Sequence, residues 1–142
     1  MTGVPLPDPD CALLRPYWEA AARSEFRLPR CTGCGHFVWY PEPECPRCGH
    51  EGLTWERLSG RGRVFSFVVV RRALYPPFAG LVPYVSGIVA IDEDPEVRVV
   101  TRFLDADPER IAIDMPAKVR FADFGYPLSA TNVLGPFWEI DP

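Results

Sequence analysis

The sequence has 142 residues and a net charge of −4, and no apolar run approaches the ~18 residues of a membrane-spanning helix. Nucleic-acid-binding modules usually carry a basic excess, so this acidic balance disfavours nucleic acid as a partner, and no membrane contact is predicted. Seventeen prolines argue against a helical bundle and favour strands, turns and extended connections.

Residues 1–27 are predicted to form an extended segment followed by one amphipathic helix. Prolines recur in the first ten residues, whereas apolar residues fall at helical spacing over residues 11–25. Tyr17 and Trp18 lie on the apolar face of this helix. That face either packs on the rest of the chain or contacts another protein, so both residues are candidates for partner binding.

Two Cys-x-x-Cys pairs, Cys31/Cys34 and Cys45/Cys48, are separated by ten residues, and each pair continues with Gly-His. This spacing is typical of four thiolates around one tetrahedral ion, and ligand softness favours Zn²⁺, one ion per chain. Four thiolates fill the tetrahedron and leave no position for an activated water. The predicted metal is therefore structural rather than catalytic.

Residues 28–57 are predicted to form a small rubredoxin-like zinc ribbon of short strands. Strands are expected near residues 26–28, 37–40 and 53–56, around the two cysteine turns. Cysteines in metal spacing fit a reducing compartment better than a disulfide scaffold, so a cytoplasmic location is expected. The fifth cysteine, Cys11, is interpreted as an inert thiol.

Residues 58–142 are predicted to form a five-stranded OB-fold barrel, so the fold class is mainly β. Three meandering strands, one helical turn and two further strands follow one another, which is the OB order. In the first strand, Phe65, Phe67 and Val69 are placed on one face by strict alternation. The predicted segments cover residues 63–72, 84–92, 97–105, 107–111 for the helical turn, 116–124, and an extended end at 137–140.

The connection between the first two barrel strands is long, apolar and stiffened by proline. Tyr75 and Phe78 belong to this loop, and Arg71 and Arg72 stand at its base. An exposed apolar patch usually marks a binding surface, and this loop is a common ligand-binding element of OB-folds. The four residues are therefore candidates for ligand or partner binding, although the loop could instead fold back as a lid over the barrel.

No catalytic constellation is visible in the sequence. There is no G-x-S-x-G serine, no P-loop, no G-x-G-x-x-G after a strand, and no Cys/His pair apart from the metal motif. An independent enzyme is therefore not expected.

The order of several motifs resembles the rubredoxin-like zinc-ribbon/OB-fold family long catalogued as a domain of unknown function. The resemblance covers nearly the whole chain, and the four cysteines match the metal ligands of that family. One departure is Asp114, which stands where many relatives carry glycine. The motifs are Tyr17-Trp18-Glu19, the two C-x2-C-G turns, Trp55, Ser59-Gly60-Arg61-Gly62-Arg63-Val64, Pro83-Tyr84 and Met115-Pro116-Ala117-Lys118-Val119.

The resemblance implies a non-catalytic accessory subunit. Members of the family partner thiolase-superfamily enzymes, thiolases or retro-aldolases, and some are fused to hydratase-like domains. Such a subunit would support assembly and help accommodate a CoA ester of the lipid or steroid side-chain type near the interface. The alternative is a single-stranded nucleic-acid-binding OB-fold protein, which would need a basic groove with stacking aromatic residues.

Overall fold

The computed structural model describes residues 3–142, which form a mainly β structure with one short helix at the N-terminal end. Positions 1 and 2 of the predicted extended segment lie outside the described residues. The elements are α1 (Arg15–Ala22), β1 (Arg27–Cys31), β2 (Leu53–Arg57), β3 (Arg61–Val70), β4 (Tyr84–Ile91), β5 (Arg98–Phe103), β6 (Pro116–Asp123) and β7 (Leu134–Ile140).

The helix α1 is shorter than the predicted range of 11–25, because residues before Arg15 form hydrogen-bonded turns instead. In one of these turns the N–H of Leu14 donates to the carbonyl of Cys11 at 3.1 Å. Tyr17 is only 6% exposed, and its ring lies 4.8 Å from Trp39 and 6.5 Å from Trp55. The apolar face of the helix thus packs on its own chain. In residues 3–142 no helix is long and apolar enough to cross a membrane.

The ribbon contains a two-stranded antiparallel sheet, in which Cys31 on β1 is opposite Leu53 on β2. The strand predicted at residues 37–40 is wrong: Phe37 makes one isolated bridge to β1, and pairing stops there. Trp39 instead packs its ring on the helix, at Tyr17. Side-chain packing on α1 therefore draws the chain away from the sheet after one bridge.

The barrel closes in the order β3-β4-β5-β7-β6, which confirms the predicted OB topology. Its first strand departs from strict alternation, because the β3–β4 register shifts between Val64 and Ser66. Phe65 is the extra residue of this bulge and is 42% exposed, whereas Phe67 packs against the core. The prediction that both phenylalanines share one face is therefore wrong, since a bulge reverses the alternation beyond it.

The ribbon and the barrel share one buried core. Phe26, just before β1, is 3% exposed and meets Trp138 of β7 edge-to-face, with ring centroids 5.4 Å apart. Trp138 is fully buried and pairs with Phe103 on β5 and Val119 on β6. A shared core of this kind fixes the ribbon against the barrel.

Between β5 and β6 the predicted helical turn is present as a single turn at residues 107–111. The carbonyl of Asp107 accepts the N–H groups of Arg110 and Ile111, both at 3.1 Å, and its side chain accepts the N–H of Glu109 at 2.9 Å. The same connection holds Asp114 at a φ of 69°, a conformation that glycine adopts more readily. The turn before β6 is therefore left-handed at Asp114.

Candidate metal centre and aromatic groove

The four motif cysteines meet at one point. Their sulfur atoms all lie within 4.8 Å of one another, and the closest pairs join the two turns: Cys31 to Cys48 at 3.6 Å and Cys34 to Cys45 at 3.7 Å. Four sulfurs at about 2.3 Å from a tetrahedral Zn²⁺ would be separated by about 3.8 Å. The observed spacing therefore fits a single tetrahedral ion.

The two cysteine turns have the same backbone geometry. Gly35 and Gly49, which follow the second cysteine of each pair, have φ of 78° and 77°. Their N–H groups donate back to the carbonyls of Cys31 and Cys45, at 2.9 and 2.8 Å. The Gly-His repeat in the sequence thus encodes two equivalent turns that present their sulfurs to one centre.

The electrostatics of the cluster favour a bound cation. Backbone N–H groups of Cys34 and Gly33 favour the Cys31 thiolate and lower the pKa of Cys31 to about 6. The backbone N–H of His50 also favours the Cys48 thiolate, but burial and the neighbouring sulfurs outweigh it and raise the pKa of Cys48 to about 12. Four adjacent thiolates repel one another, and a bound dication removes that repulsion.

The motif histidines are not needed as ligands. Nε2 of His50 lies 3.0 Å from the hydroxyl oxygen of Thr32, and the ring covers Gly33, so it braces one turn against the other. With four sulfurs in place, a tetrahedral ion has no open position. The centre can hold the ribbon together, and it offers no site for a metal-activated water.

The loop between β3 and β4 is partly ordered by its own aromatic residues. Tyr75 and Phe78 meet edge-to-face at 5.2 Å, and Phe78 meets Tyr84 at 5.7 Å, so these rings are half-buried against one another. Leu74, in contrast, is 88% exposed. Arg71 is exposed and pairs with Glu109 at 2.9 Å.

Arg72 is also exposed, next to the start of this loop. Neither arginine lines any of five cavities formed by the described residues, whereas Phe78 lines one of them. The predicted candidates are therefore brought together only in part. Tyr75 contacts Phe78, which lines one end of a groove, and Tyr17 and Trp18 line its far end, whereas the two arginines lie on the outer surface.

An aromatic groove runs along the junction of helix, ribbon and barrel. The sequence did not predict this groove. It has two lobes of about 370 and 270 Å³ that share Ser86, Arg102, Phe124 and Phe137. The larger lobe is also lined by Leu14, Tyr17, Trp18, Trp39, Tyr40, Val100, Thr101 and Pro136, and the smaller by Val4, Pro5, Phe78 and Tyr84.

Two nitrogen donors mark this groove. Arg102 packs its guanidinium over Phe137, 5.1 Å from the ring centroid, and donates to the carbonyl of Tyr126 at 2.9 Å. Partial burial lowers the pKa of Arg102 from its ordinary value. The indole N–H of Trp39 is buried and has no acceptor within residues 3–142. Buried donors are normally paired, so this unpaired N–H is an exception.

One signal for the groove was present in the predicted topology, because the second and third strands of an OB barrel commonly face a ligand. Ser86 lies on β4 and Arg102 on β5, which are those two strands. The aromatic walls could not be assigned from spacing, because they come from parts of the chain far apart in sequence.

A separate cavity of about 530 Å³ opens at the end of the barrel, beside the single turn at residues 107–111. Charged side chains that line it are paired: Arg120 contacts Asp105 at 2.7 Å, Arg110 contacts Asp107 at 3.6 Å, and Asp141 contacts Arg61, which lies outside the lining, at 2.8 Å. The hydrogen bond from Arg120 lowers the pKa of Asp105. These pairs leave the cavity with apolar walls and a neutralised rim.

Comparison with known proteins gave two family matches in tandem. Residues 18–54 match the model described as the ChsH2 rubredoxin-like zinc ribbon domain, and residues 55–122 match that of the ChsH2 C-terminal OB-fold domain.

Three relatives are similar in sequence. A DUF35 domain-containing scaffold protein from Pyrococcus furiosus is 31% identical over 72% of this chain and 74% of its own. A 3-oxo-4,17-pregnadiene-20-carboxyl-CoA hydratase alpha subunit from Mycobacterium tuberculosis is 33% identical over 82% of this chain, and a probable enoyl-CoA hydratase alpha subunit from Thermomonospora curvata is 32% identical over 70%. The chain spans only 38% and 30% of these two hydratase subunits.

Two solved structures share the fold. A chain of the Ltp2-ChsH2(DUF35) aldolase superimposes with a TM-score of 0.79 at 25% identity, covering 94% of this chain and 98% of that one. A DUF35-family protein of unknown function from Sulfolobus solfataricus gives a TM-score of 0.60 at 10% identity, covering 92% and 87%.

Proposed function

Because this chain belongs to the DUF35 family of linked zinc ribbons and OB-folds, we propose that it is a non-catalytic accessory subunit of an enzyme acting on acyl-CoA. The observation that carries the proposal is its likeness, along nearly its whole length, to a chain of the Ltp2-ChsH2(DUF35) aldolase. The names of the hydratase relatives point to the same class of thioester substrate.

The partner in this proposal is a thiolase-superfamily enzyme, a thiolase or retro-aldolase, with a hydratase as a possible further component. The aldolase in the structural relative's name supports the first, and the hydratase alpha subunits support the second. The steroid-type acyl group in one relative's name supports a substrate of the lipid or steroid side-chain type. The subunit would support assembly of the complex and help accommodate the CoA ester.

The metal in this proposal is one structural Zn²⁺ held by Cys31, Cys34, Cys45 and Cys48. The sulfur spacing fits a tetrahedral ion, and thiolates are ligands that zinc prefers. Bound zinc would supply cross-links between the two cysteine turns. A cytoplasmic location suits cysteines that are all free of disulfides.

The partner contact in this proposal includes the exposed end of the β3–β4 loop. Leu74 is 88% exposed, and Arg71 and Arg72 are exposed beside it. An apolar side chain flanked by arginines is a common composition for the centre of an interface. Tyr17 is buried in the chain and would act on the partner only indirectly, by supporting Trp18 and the groove.

Co-expression with a candidate thiolase-superfamily enzyme tests the proposal. We expect the two proteins to co-elute on gel filtration, and the acyl-CoA activity of the enzyme to fall when this chain is omitted. Leu74→Ser should weaken co-elution, whereas Ile113→Ser, at another exposed apolar residue, should not. Separate elution together with unchanged enzyme activity would reject the accessory role.

A further inference from the structure

We propose that the two cysteine turns, residues 31–36 and residues 45–50, hold the metal unequally. Cys48 of the second turn releases it first, and Arg30 keeps the first turn in place. The inference rests on the proposed zinc site, to which it adds an order of ligand release and a positioning residue. It comes from a comparison within the chain, because the two turns share the Cys-x-x-Cys-Gly-His sequence and the same backbone geometry at their glycines.

The first turn is anchored at both ends by the ribbon sheet. Cys31 is the last residue of β1 and pairs with Leu53 of β2. After the turn, Phe37 is buried and bridges back to Arg30 of the same strand. Movement of this turn would therefore disrupt the sheet.

The side chain of Arg30 adds a clamp to the first turn. Its Nε donates to the carbonyl of Gly35 at 2.7 Å, and its Nη1 donates to the carboxylate of Glu56 on β2, also at 2.7 Å. The guanidinium lies over Phe37, 4.6 Å from the ring centroid. Hydrogen bonds from a charged donor are stronger than neutral ones. The matching position before the second turn is Glu44, whose carboxylate cannot donate to a carbonyl.

The second turn has no comparable anchor in the part of the chain that the structure describes. It lies outside both strands of the sheet, and the segments on either side of it are joined by one isolated bridge, from Glu44 to Glu51. Its contact with the first turn, from His50 to Thr32 at 3.0 Å, joins two exposed side chains. A segment with exposed hydrogen bonds and few packed neighbours opens more easily than one held in a sheet.

Cys34 and Cys48 are a matched pair for testing this difference. Each is the second cysteine of its turn, and each is exposed, whereas Cys31 and Cys45 are buried. Burial therefore favours neither of the two exposed sulfurs. A difference in their reactivity in the metal-loaded chain reports how firmly each turn is held.

Alkylation of the zinc-loaded full chain with iodoacetamide tests the order of release. The thiolate forms a sulfur–carbon bond and iodide leaves, and peptide mass spectrometry locates the label in molecules that carry one. A Cys11→Ser background removes the cysteine outside the cluster. Each rate is divided by the rate of the same cysteine in the metal-free chain, which corrects for intrinsic reactivity. We expect Cys48 to be labelled at least about fivefold faster than Cys34. Equal labelling, or faster labelling of Cys34, would overturn the inference.

Arg30→Gln tests the clamp. Loss of the charged donor should raise the labelling rate of Cys34 by about three- to tenfold, because the Gly35 carbonyl is no longer held. Glu56→Gln leaves that hydrogen bond in place and should raise the rate by a smaller factor, about twofold. Arg57→Gln is the matched control, since Arg57 is an exposed arginine at the end of β2 away from the cysteines. Unchanged Cys34 labelling in both Arg30→Gln and Glu56→Gln would contradict the role of Arg30.

Metal analysis separates this inference from the proposed zinc site. An unaltered chain that is purified without zinc and takes up none would reject the site, and the order of release with it. One zinc per chain together with equal labelling of Cys34 and Cys48 would reject only the unequal turns.

Discussion

The ribbon (residues 27–57) and the barrel (residues 61–140) are stabilised in different ways. The ribbon has one two-stranded sheet and only a small buried cluster of its own, Cys31, Val38 and Cys45 with Leu53 packed beside it. Its other buried apolar side chains, among them Leu28 and Phe37, belong to the core that it shares with the barrel. The barrel closes five strands around a large continuous core. A unit with so few buried apolar groups needs a metal to fold, whereas the barrel has enough buried apolar surface of its own.

The four cysteines, which form the clearest motif of the sequence, also lie apart from the aromatic groove. The cysteine centre is closed and structural, while the aromatic groove lies where helix, ribbon and barrel meet. Trp39 belongs to the ribbon and Arg102 to the barrel, so the groove keeps its shape only while the two units stay in register. A metal held by the four cysteines would therefore help to keep in place the groove wall that carries Trp39.

The largest expected effect comes from removing a metal ligand. Cys45→Ser should abolish stoichiometric zinc and unfold the ribbon while the barrel stays folded, because structural zinc contributes apparent binding free energies on the order of 10 kcal/mol. Metal analysis and hydrogen exchange resolved by residue would measure both effects. The control is Cys11→Ser, which lies outside the cluster and should retain one zinc per chain. If the ribbon amides of metal-free Cys45→Ser stayed fully protected from hydrogen exchange, the ribbon would not need the metal, and the contrast with the barrel would be wrong.

Because the ribbon and the barrel share one core, a mutation at their contact should uncouple the unfolding of the two units. Phe26→Ala should lower the free energy of unfolding by about 3–5 kcal/mol, because it leaves a cavity against Trp138. It should also split unfolding into two transitions, ribbon before barrel, in denaturant melts followed by two probes. Phe65→Ala, at the exposed bulge, should change stability by less than about 1 kcal/mol. A single unshifted transition for Phe26→Ala would show that the units do not depend on this contact.

Within the barrel, the β6–β7 loop should respond to acid. The N–H groups of Gly125, Thr131 and Asn132 hydrogen-bond the Asp123 carboxylate and lower its pKa from 3.8 to about 2. A depressed pKa means that the stabilisation is complete above about pH 4 and is lost as pH falls towards 2.

The measurement is hydrogen exchange of residues 124–133 across that range. Asp123→Asn should loosen the loop already at neutral pH and remove the acid dependence. Asp92→Asn, at the exposed turn before β5, is the control. It should keep both the protection of the loop at neutral pH and the loss of that protection in acid. Loop protection that is the same at pH 5 and pH 2 in the unaltered chain would contradict the expectation.

The smallest expected effect concerns the left-handed turn before β6. Asp114→Gly should raise the free energy of unfolding by about 0.5–1 kcal/mol, because glycine adopts a φ of 69° without the strain of a side chain. Ala112→Gly, at a nearby exposed residue without a positive φ, should lower stability instead. Thermal melts at fixed metal concentration would compare the two, and the same sign for both would rule out the conformational explanation.

Much of this architecture was predictable, because it depends on local pattern. The Cys-x-x-Cys-Gly-His repeat contains its own turn geometry, and the five barrel strands were found from alternation and turn residues. Two predictions failed for a common reason: Phe65 is displaced by a bulge against β4, and Trp39 leaves the sheet to pack on α1. Both depend on contacts with residues distant in sequence, which local pattern does not contain.

The sequence by itself thus determined the cluster of four cysteines, the mainly β class and the order of the OB barrel, because cysteine spacing and side-chain periodicity are properties of neighbouring residues. Only the tertiary structure decided that Tyr17 is buried, that the loop arginines stand apart from Phe78, and that a groove with Arg102 and an unpaired Trp39 N–H exists. The physical reason is that burial and cavities arise from packing between elements, and the groove takes its walls from segments that meet only after the chain has folded.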